Sequence, residues 1–147
     1  MRVYRYIGLG GTKIPSAAML LPFANGEPLT FVIDADGALC VADRHGEHLA
    51  CARGGNVLSA GEITLRRDGD RLRAIAISNQ STGYCPEPES WPAVAAALDA
   101  LGVVHPGGFT FAAIFRKCPS CGQRNLVKDE WFVCAVCDAD LPATWNF

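Results

Sequence analysis

The chain has 147 residues, of which half are apolar and 19% are charged, and its formal net charge at pH 7 is −2. This composition excludes global disorder, because disordered chains are poor in apolar residues and rich in net charge. The near-neutral charge also argues against nucleic acid as a partner, since phosphate binding depends on clustered Lys and Arg side chains.

No apolar run in the sequence reaches the roughly 18 to 20 residues that span a bilayer. The run Ala17–Phe23 is far shorter, and the Gly and Pro residues on both sides of it do not fit an export signal. We therefore expect a cytoplasmic protein without a membrane partner.

The N-terminal segment predicts a strand followed by a turn. Residues 2–7 are rich in β-forming side chains, and the glycine-rich residues 8–11 follow them. Residues 8–13 have a superficial likeness to a phosphate-binding loop, but they lack the glycine and lysine spacing of either known pattern. A plain turn is therefore the favoured interpretation.

Two β-hairpins are predicted next along the chain. The first pairs residues 29–34 with residues 38–42, and the second pairs residues 62–67 with residues 71–78. An Asp-Gly dipeptide lies between the strands of each pair and supplies the positive φ angles of a tight turn. In the second hairpin apolar and polar residues alternate, which indicates one face toward solvent.

One segment predicts an α-helix. Ser90 can cap its start, Pro92 suits its first turn and Gly102 ends it. Apolar side chains recur between them at helical spacing, at Val94, Ala97, Leu98 and Leu101. Residues 109–115 then predict a strand that leads directly into the first pair of C-terminal cysteines.

Strands outnumber helices in this interpretation, and hairpins take the place of long crossovers. The expected fold class is therefore α+β, a mainly antiparallel sheet with one clear helix and a C-terminal zinc ribbon. We expect an α+β domain over residues 1–115 and a ribbon over residues 116–147. Because the junction at Arg116-Lys117 is too short for a linker, the ribbon should pack on the domain.

Four of the seven cysteines form two pairs, Cys118 with Cys121 and Cys134 with Cys137. Two residues between the cysteines of a pair let both thiolates of one tight turn point at the same ion. The matched spacing favours a structural Zn²⁺ site over unrelated buried thiols or a redox pair. Four thiolates leave no position for water, so the metal is expected to supply folding free energy and no catalysis.

Aromatic and apolar residues accompany the cysteines. Trp131, Phe132 and Val133 on the return strand, with Trp145 and Phe147 at the tail, are interpreted as an apolar cover that joins the ribbon to the domain. The alternative is that an exposed subset of them forms a docking surface for a partner.

Polar residues of the types that take part in binding and catalysis lie between His45 and Pro86. They include His48, Glu62 and Tyr84, which stand near the ends of the predicted strands, where binding sites tend to be built. An Ala-Gly-Glu strand start and a Ser-x-x-Tyr-x-Pro ending enclose the second hairpin. The residues of this pattern are His48, Gly54, Val57, Ala60, Gly61, Glu62, Ser81, Tyr84 and Pro86.

In this pattern, residues 48–86 resemble a module of plant IQ-motif proteins and some bacterial effector toxins. Leu49 and Ala50 replace two serines of that module, and Gly83 replaces its second histidine. The resemblance therefore implies a shared hairpin scaffold more than a shared activity.

Two interpretations of His48, Glu62 and Tyr84 stay open. In the first, these side chains hydrogen-bond to loop backbone and fix the turns. In the second, they form a catalytic pocket that uses a nucleotide-type cofactor such as NAD. There His48 would position the substrate, Glu62 would act as a base or stabilise positive charge, and Tyr84 would stack or donate a hydrogen bond.

Three further cysteines, Cys40, Cys51 and Cys85, are interpreted as buried, unreactive thiols. Cys85 could be a nucleophile if a histidine drew off its proton. The alternative is a second metal site from His48, Cys51 and Cys85, with Cys40 or His45 added, but the irregular spacing argues against it.

The leading functional hypothesis is a cytoplasmic zinc-binding accessory protein that binds another protein through a rim near Tyr84. The alternative is an enzyme with the His48, Glu62 and Tyr84 pocket. A second alternative is nucleic-acid binding through the ribbon, since zinc ribbons often serve transcription and translation.

Overall fold

The computed structural model describes residues 11–43 and 55–147. Within these ranges the fold is a five-stranded antiparallel sheet, one α-helix and a two-stranded sheet that carries the cysteine pairs, which confirms the predicted α+β class. The elements in chain order are β1 (Thr12–Lys13), β2 (Asn25–Asp34), β3 (Leu39–Asp43), β4 (Val57–Asp68), β5 (Arg71–Ile77), α1 (Trp91–Ala100), β6 (Ile114–Lys117) and β7 (Arg124–Val127). Two 3₁₀ helices, Ala17–Phe23 and Pro88–Ser90, complete them.

The predicted strand over residues 2–7 and most of the glycine-rich segment that follows it lie outside the described residues. Within the described residues, no helix combines the length and the apolar character that crossing a membrane requires.

The large sheet has the strand order β1-β3-β2-β4-β5, and every neighbouring pair is antiparallel. Both predicted hairpins are present as β2–β3 and β4–β5. At the first turn, Oδ1 of Asp34 accepts hydrogen bonds from the backbone N–H groups of Asp36 and Ala38, both at 2.9 Å. Gly37 has a φ of +83°, which side-chain-bearing residues rarely adopt, so the Asp-Gly signal identified the turn correctly.

One face of the sheet packs against α1 and the first 3₁₀ helix. The largest fully buried side chains in this interface are Phe31, Leu20, Ile33, Leu39, Val41, Ile63, Leu65, Ile77, Val94 and Leu98. Burial of each such side chain contributes roughly 1.5 to 3 kcal/mol, so this cluster is the main core of the fold.

The helix α1 begins and ends close to the predicted residues, but the capping prediction for Ser90 was wrong. Ser90 has helical backbone angles, φ −75° and ψ −8°, because the preceding 3₁₀ turn runs directly into α1. Its hydroxyl makes no capping bond and lies instead 2.8 Å from the hydroxyl of Ser59 on β4.

The strand predicted over residues 109–115 was only partly correct, because β6 begins at Ile114. Thr110 is bound to the end of β5. Its N–H donates to the carbonyl of Ile77 at 2.8 Å, and its hydroxyl oxygen accepts from the N–H of Ile77 at 2.9 Å. This side-chain pairing holds residue 110 beside the sheet without forming a ladder.

Gly61 lies where the end of β5 crosses closely over β4. A Cβ atom at this position would stand 1.8 Å from the carbonyl oxygen of Ser78, far inside van der Waals contact. Only glycine fits there, which gives a physical reason for the glycine in the Ala-Gly-Glu pattern.

Candidate metal centre

Two tight turns bring the four paired cysteines together. The first turn follows β6, where the N–H of Gly122 donates to the carbonyl of Cys118 at 2.9 Å. The second turn lies beyond β7, where the N–H of Asp138 donates to the carbonyl of Cys134 at 3.0 Å. The positive φ angles of Gly122 and Asp138, +78° and +60°, close the two turns.

The four sulfur atoms all lie within 4.8 Å of one another, and this cluster consists of Cys118, Cys121, Cys134 and Cys137. Across the two turns, the Sγ atoms of Cys118 and Cys137 are 3.5 Å apart, and those of Cys121 and Cys134 are 3.6 Å apart. Four ligands about 2.3 Å from a tetrahedral Zn²⁺ lie about 3.8 Å from one another, so the spacing suits a metal ion.

The local hydrogen bonds favour thiolates in the cluster. The backbone N–H groups of Cys121 and Val136 point to the Sγ atoms of Cys118 and Cys134, both at 3.4 Å. Cys118 and Cys134 are buried, whereas Cys121 and Cys137 are exposed. A bound ion would thus be held between the interior of the ribbon and its surface.

Hydrogen bonds and burial move the pKa values of Cys121 and Cys134 in opposite directions. Burial opposes ionisation of Cys134, but hydrogen bonds from backbone N–H groups and from Asn125 outweigh it and lower the pKa of Cys134 to about 6. At Cys121 a backbone hydrogen bond favours the thiolate, but burial and the neighbouring sulfurs raise the pKa to about 12. A divalent cation would remove this conflict, since it favours ionisation of every ligand.

Asn125 on β7 supports the second turn, and no pattern in the sequence indicated this role. Its side chain is buried, its Nδ2 donates to the Sγ of Cys134 at 3.5 Å, and its Oδ1 accepts from the N–H of Ala135 at 3.0 Å. Asn125 therefore fixes one cysteine ligand to the ribbon sheet, and such supporting contacts usually tune metal affinity.

Arg116 on β6 joins the ribbon to the rest of the chain. Its buried guanidinium pairs with Glu87 at 2.8 Å and donates to the carbonyls of Pro142 and Ala143, at 3.2 and 2.8 Å. The ring of Phe132 also lies 5.9 Å from the guanidinium carbon. A single side chain thereby connects β6, the C-terminal tail and the segment before α1.

The residues of the predicted apolar cover make different contacts, and two of them, Trp145 and Phe147, pack on the ribbon and the loop after β5. The indole N–H of Trp145 donates to the carbonyl of Cys85 at 2.8 Å, and the guanidinium of Arg124 lies over the ring of Phe147 and donates to the carbonyl of Thr82. These contacts link the tail and ribbon to the loop after β5.

The position predicted for Trp131 was wrong in two respects. Residues 131–133 form no strand, since the return strand β7 ends at Val127, and the Trp131 side chain is 70% exposed. The turn at Lys128, whose carbonyl accepts from the N–H of Trp131, carries this side chain away from the core.

Glu62 and Tyr84 occupy separate surroundings. Glu62 is exposed on β4 and lines a groove of about 280 Å³ that also includes Gln80 and Phe111. Tyr84 is not part of this groove; it packs against the cluster around Val32, and its hydroxyl donates to the carbonyl of Gly55. His48, the third member of the predicted catalytic set, lies outside the described residues, so the catalytic role of the three stays a prediction.

The loop that carries Tyr84 is bound by its own polar groups. The buried side chain of Asn79 donates to the carbonyls of Pro86 and Ala113, at 2.9 and 2.8 Å, and accepts from the N–H of Ala113. Ser81 accepts from the N–H of Cys85 through its carbonyl at 2.7 Å. These contacts favour a structural role for the loop.

Cys85 has the surroundings of an unreactive thiol. Its Sγ lies 3.3 Å from the carbonyl of Thr82. Burial raises the pKa of Cys85 and the charge of Arg124 offsets only part of the rise, whereas a nucleophilic thiol needs a lowered pKa. Cys40 is buried beside Val32, and the remaining residues of the second metal-site hypothesis, His45, His48 and Cys51, lie outside the described ranges.

Comparisons of the chain with protein-family models, with curated proteins and with solved structures give no match. The likeness of residues 48–86 to the module of IQ-motif proteins and effector toxins receives no support from them and stays a prediction. The sulfur cluster and the surfaces around it are therefore the features that bear on function.

Proposed function

We propose that the protein is a cytoplasmic zinc-binding accessory protein, in which a structural metal fixes a C-terminal ribbon that binds another protein. The observation that carries the proposal is the cluster of four Sγ atoms within 4.8 Å of one another. Soft thiolate ligands at tetrahedral spacing favour Zn²⁺ over hard cations such as Mg²⁺ or Ca²⁺. A compartment that keeps thiols reduced suits this site.

The metal has a structural role in this proposal. Four protein ligands complete a tetrahedral shell, so no position stays open for a reacting water. The ribbon around the ion has a small core, in which the apolar side chains of Val127 and Leu141 pack beside Cys118 and Cys134. So small a core needs the ligand bonds to stay folded.

Protein binding is supported by the apolar side chains that the ribbon exposes. Trp131 is 70% exposed and Val136 is 66% exposed, and both lie next to the second cysteine turn. Large exposed apolar side chains that share one surface are typical of interaction sites.

The metal is tested by elemental analysis of the purified protein and by cobalt substitution. We expect about one zinc per chain and, with Co²⁺, the intense visible absorption of a tetrathiolate site. Cys134→Ser should abolish both, whereas the matched control Cys40→Ala, which removes a buried cysteine outside the cluster, should retain them. Iron in the purified protein, or metal retained by Cys134→Ser, would contradict the proposal.

A second candidate function is an enzyme that uses His48, Glu62 and Tyr84, with a nucleotide-type cofactor such as NAD. The exposure of the Glu62 carboxylate in a groove favours it, because such a carboxylate can reach a ligand. Calorimetric titration with NAD tests this candidate, and binding that is unchanged by Glu62→Gln and His48→Ala would reject it.

Nucleic-acid binding through the ribbon has weaker physical support. The guanidinium groups of Arg116 and Arg124 are engaged by carbonyl groups of the chain itself, which leaves them poorly placed for phosphates. Binding to DNA or RNA should therefore show no steep dependence on salt concentration.

A further inference from the structure

The two outer edges of the ribbon sheet differ in how their backbone groups are bonded. At the outer edge of β6, the side chain of Asn146 accepts from the N–H of Lys117 at 2.8 Å and donates to its carbonyl at 2.6 Å. The carbonyl of Phe115 accepts from the guanidinium of Arg116 at 2.7 Å. The C-terminal tail and Arg116 together close this edge.

The bonding pattern of the sheet identifies the backbone groups at the outer edge of β7. The N–H of Cys118 donates to the carbonyl of Gln123 at 2.8 Å, and residues that bond across an antiparallel pair alternate along each strand. Asn125 and Val127 therefore bond to β6, whereas the N–H and carbonyl groups of Arg124 and Leu126 point away from it.

The backbone of Leu126 is open at this edge. The carbonyl of Arg124 accepts from the side-chain amide of Gln123 at 3.0 Å. In contrast, no hydrogen bond among the described residues engages the outward N–H or carbonyl of Leu126. A strand edge with an unbonded N–H and carbonyl is a template for another extended chain.

A groove of about 550 Å³ runs beside this edge. Its lining includes Gln123, the β7 residues 124–126 and the second cysteine turn, with the exposed side chains of Trp131 and Val136. The charged residues of the lining are Arg124, whose guanidinium is engaged by the carbonyl of Thr82, and Lys128 and Asp138. The opposite charges of Lys128 and Asp138 select neither an acidic nor a basic partner. The surface therefore offers backbone hydrogen bonds and apolar contact, which is what an extended peptide can satisfy.

We propose that an extended segment of a partner protein adds to β7 as a third strand and places an apolar side chain against Trp131 and Val136. The inference rests on the proposed protein-binding function and names its site and the chemistry of its partner. The partner residue opposite Leu126 has to supply both an N–H and a carbonyl, which excludes proline there. Two backbone bonds and one apolar side chain suit a weak interaction, with a Kd on the order of micromolar.

The probe is a phage-displayed library of random linear dodecapeptides, selected on the zinc-loaded full-length protein. Enriched peptides should share an apolar residue without an adjacent proline. Substitution Trp131→Ser, at a side chain outside the core, should weaken the binding of a selected peptide by at least about tenfold. The matched control Leu21→Ser, at an apolar side chain that is 48% exposed and lines a different groove, should leave the Kd within about twofold.

Methylation of single backbone nitrogens in the selected peptide tests strand addition without altering the protein. Because only the peptide N–H opposite Leu126 bonds to β7, we expect methylation at that nitrogen to weaken binding and methylation at the two neighbouring nitrogens, which face away from β7, to be tolerated. Uniform tolerance of methylation would overturn strand addition. So would a selection that yields no peptide sensitive to Trp131→Ser.

The same experiment separates this inference from the wider proposal. If selected peptides lose binding with Leu21→Ser but keep it with Trp131→Ser, the protein binds peptides elsewhere and only the β7 site is rejected. A second copy of the chain is the competing occupant of the edge. A concentration-dependent dimer that Trp131→Ser abolishes, found by sedimentation, would replace the partner peptide with that copy.

Discussion

The cysteine cluster and the loop at residues 79–86 use their polar side chains in opposite ways. In the cluster, four thiols from two distant turns face one another and share one space. Around the loop, the hydroxyl of Tyr84 is bonded to the carbonyl of Gly55, while the Glu62 carboxylate lies in a separate groove. Side chains that converge on one space, as the four thiols do, indicate a common ligand. A side chain that bonds to nearby backbone, as the Tyr84 hydroxyl does, indicates a structural role.

Removal of the metal should have the largest effect of the changes that test this comparison. A chelator should unfold the ribbon, because its small core depends on ligand bonds whose apparent free energy is roughly 10 to 16 kcal/mol in zinc-finger peptides. Limited proteolysis should then cleave within residues 118–147 first, while the core of the large sheet stays protected. Equal protection of the ribbon with and without chelator would contradict a structural role for the metal.

Acid should act in the same direction as the chelator, because thiols have to lose their protons to bind a metal. The lowered pKa of Cys134, about 6 in place of 9.0, means that the folded chain holds this thiolate more readily than the unfolded chain. Its favourable contribution is complete above about pH 9 and is lost as the pH falls to about 6. Zinc release, measured with a coloured indicator between pH 7 and 4, should increase with acidity; release that is independent of pH would exclude thiolate ligands.

Gly61→Ala should cost at least about 3 kcal/mol of unfolding free energy, because the new Cβ would meet the carbonyl oxygen of Ser78 at 1.8 Å. The matched control is Gly83→Ala, where no atom lies within 4 Å of the new Cβ, and it should change the stability by less than about 0.5 kcal/mol. Urea denaturation measures both variants. Equal effects would mean that the glycine of the Ala-Gly-Glu pattern has no scaffold role.

Arg116→Met should cost about 3 kcal/mol, since it leaves Glu87 without its partner and three carbonyl groups without this donor. The partial exposure of Glu87 places this figure at the low end of the range for buried ion pairs. Lys117→Met, at the next and exposed residue, is the control and should be nearly neutral. A small loss for Arg116→Met would show that the ribbon is held to the chain by other contacts.

The features predictable from sequence are those whose cause lies in a few neighbouring residues. An Asp-Gly turn needs only its own dihedral angles and one carboxylate, and the cysteine pairs carry their spacing with them. Arg116 and Asn146 could not be recognised in this way. Their hydrogen-bond partners stand 26 to 29 residues away along the chain. Nothing in the local sequence pattern indicates that the charged side chain of Arg116 is buried.

The same reasoning explains the errors in the C-terminal segment. An aromatic next to apolar residues usually enters a core, which supported burial of Trp131. The backbone turn at Lys128 decides otherwise, and its geometry depends on positive φ angles at Asp129 and Glu130, residues that give only a weak turn signal. The alternative of an exposed docking subset among these aromatics was within reach of the sequence, but the open backbone of Leu126 at the outer edge of β7 was not.

The smallest expected effects compare the two described members of the predicted catalytic set. Tyr84→Phe removes the hydrogen bond to Gly55 and should cost about 1 kcal/mol. Glu62→Gln should change the stability by less than about 0.5 kcal/mol, because no hydrogen bond among the described residues engages its carboxylate. Thermal or urea denaturation distinguishes them. If Glu62→Gln leaves the stability unchanged, the carboxylate is free to bind a ligand. Any loss of ligand binding in this variant would then be a direct effect on the groove. A large loss of stability would instead assign Glu62 to the scaffold beside Gly61.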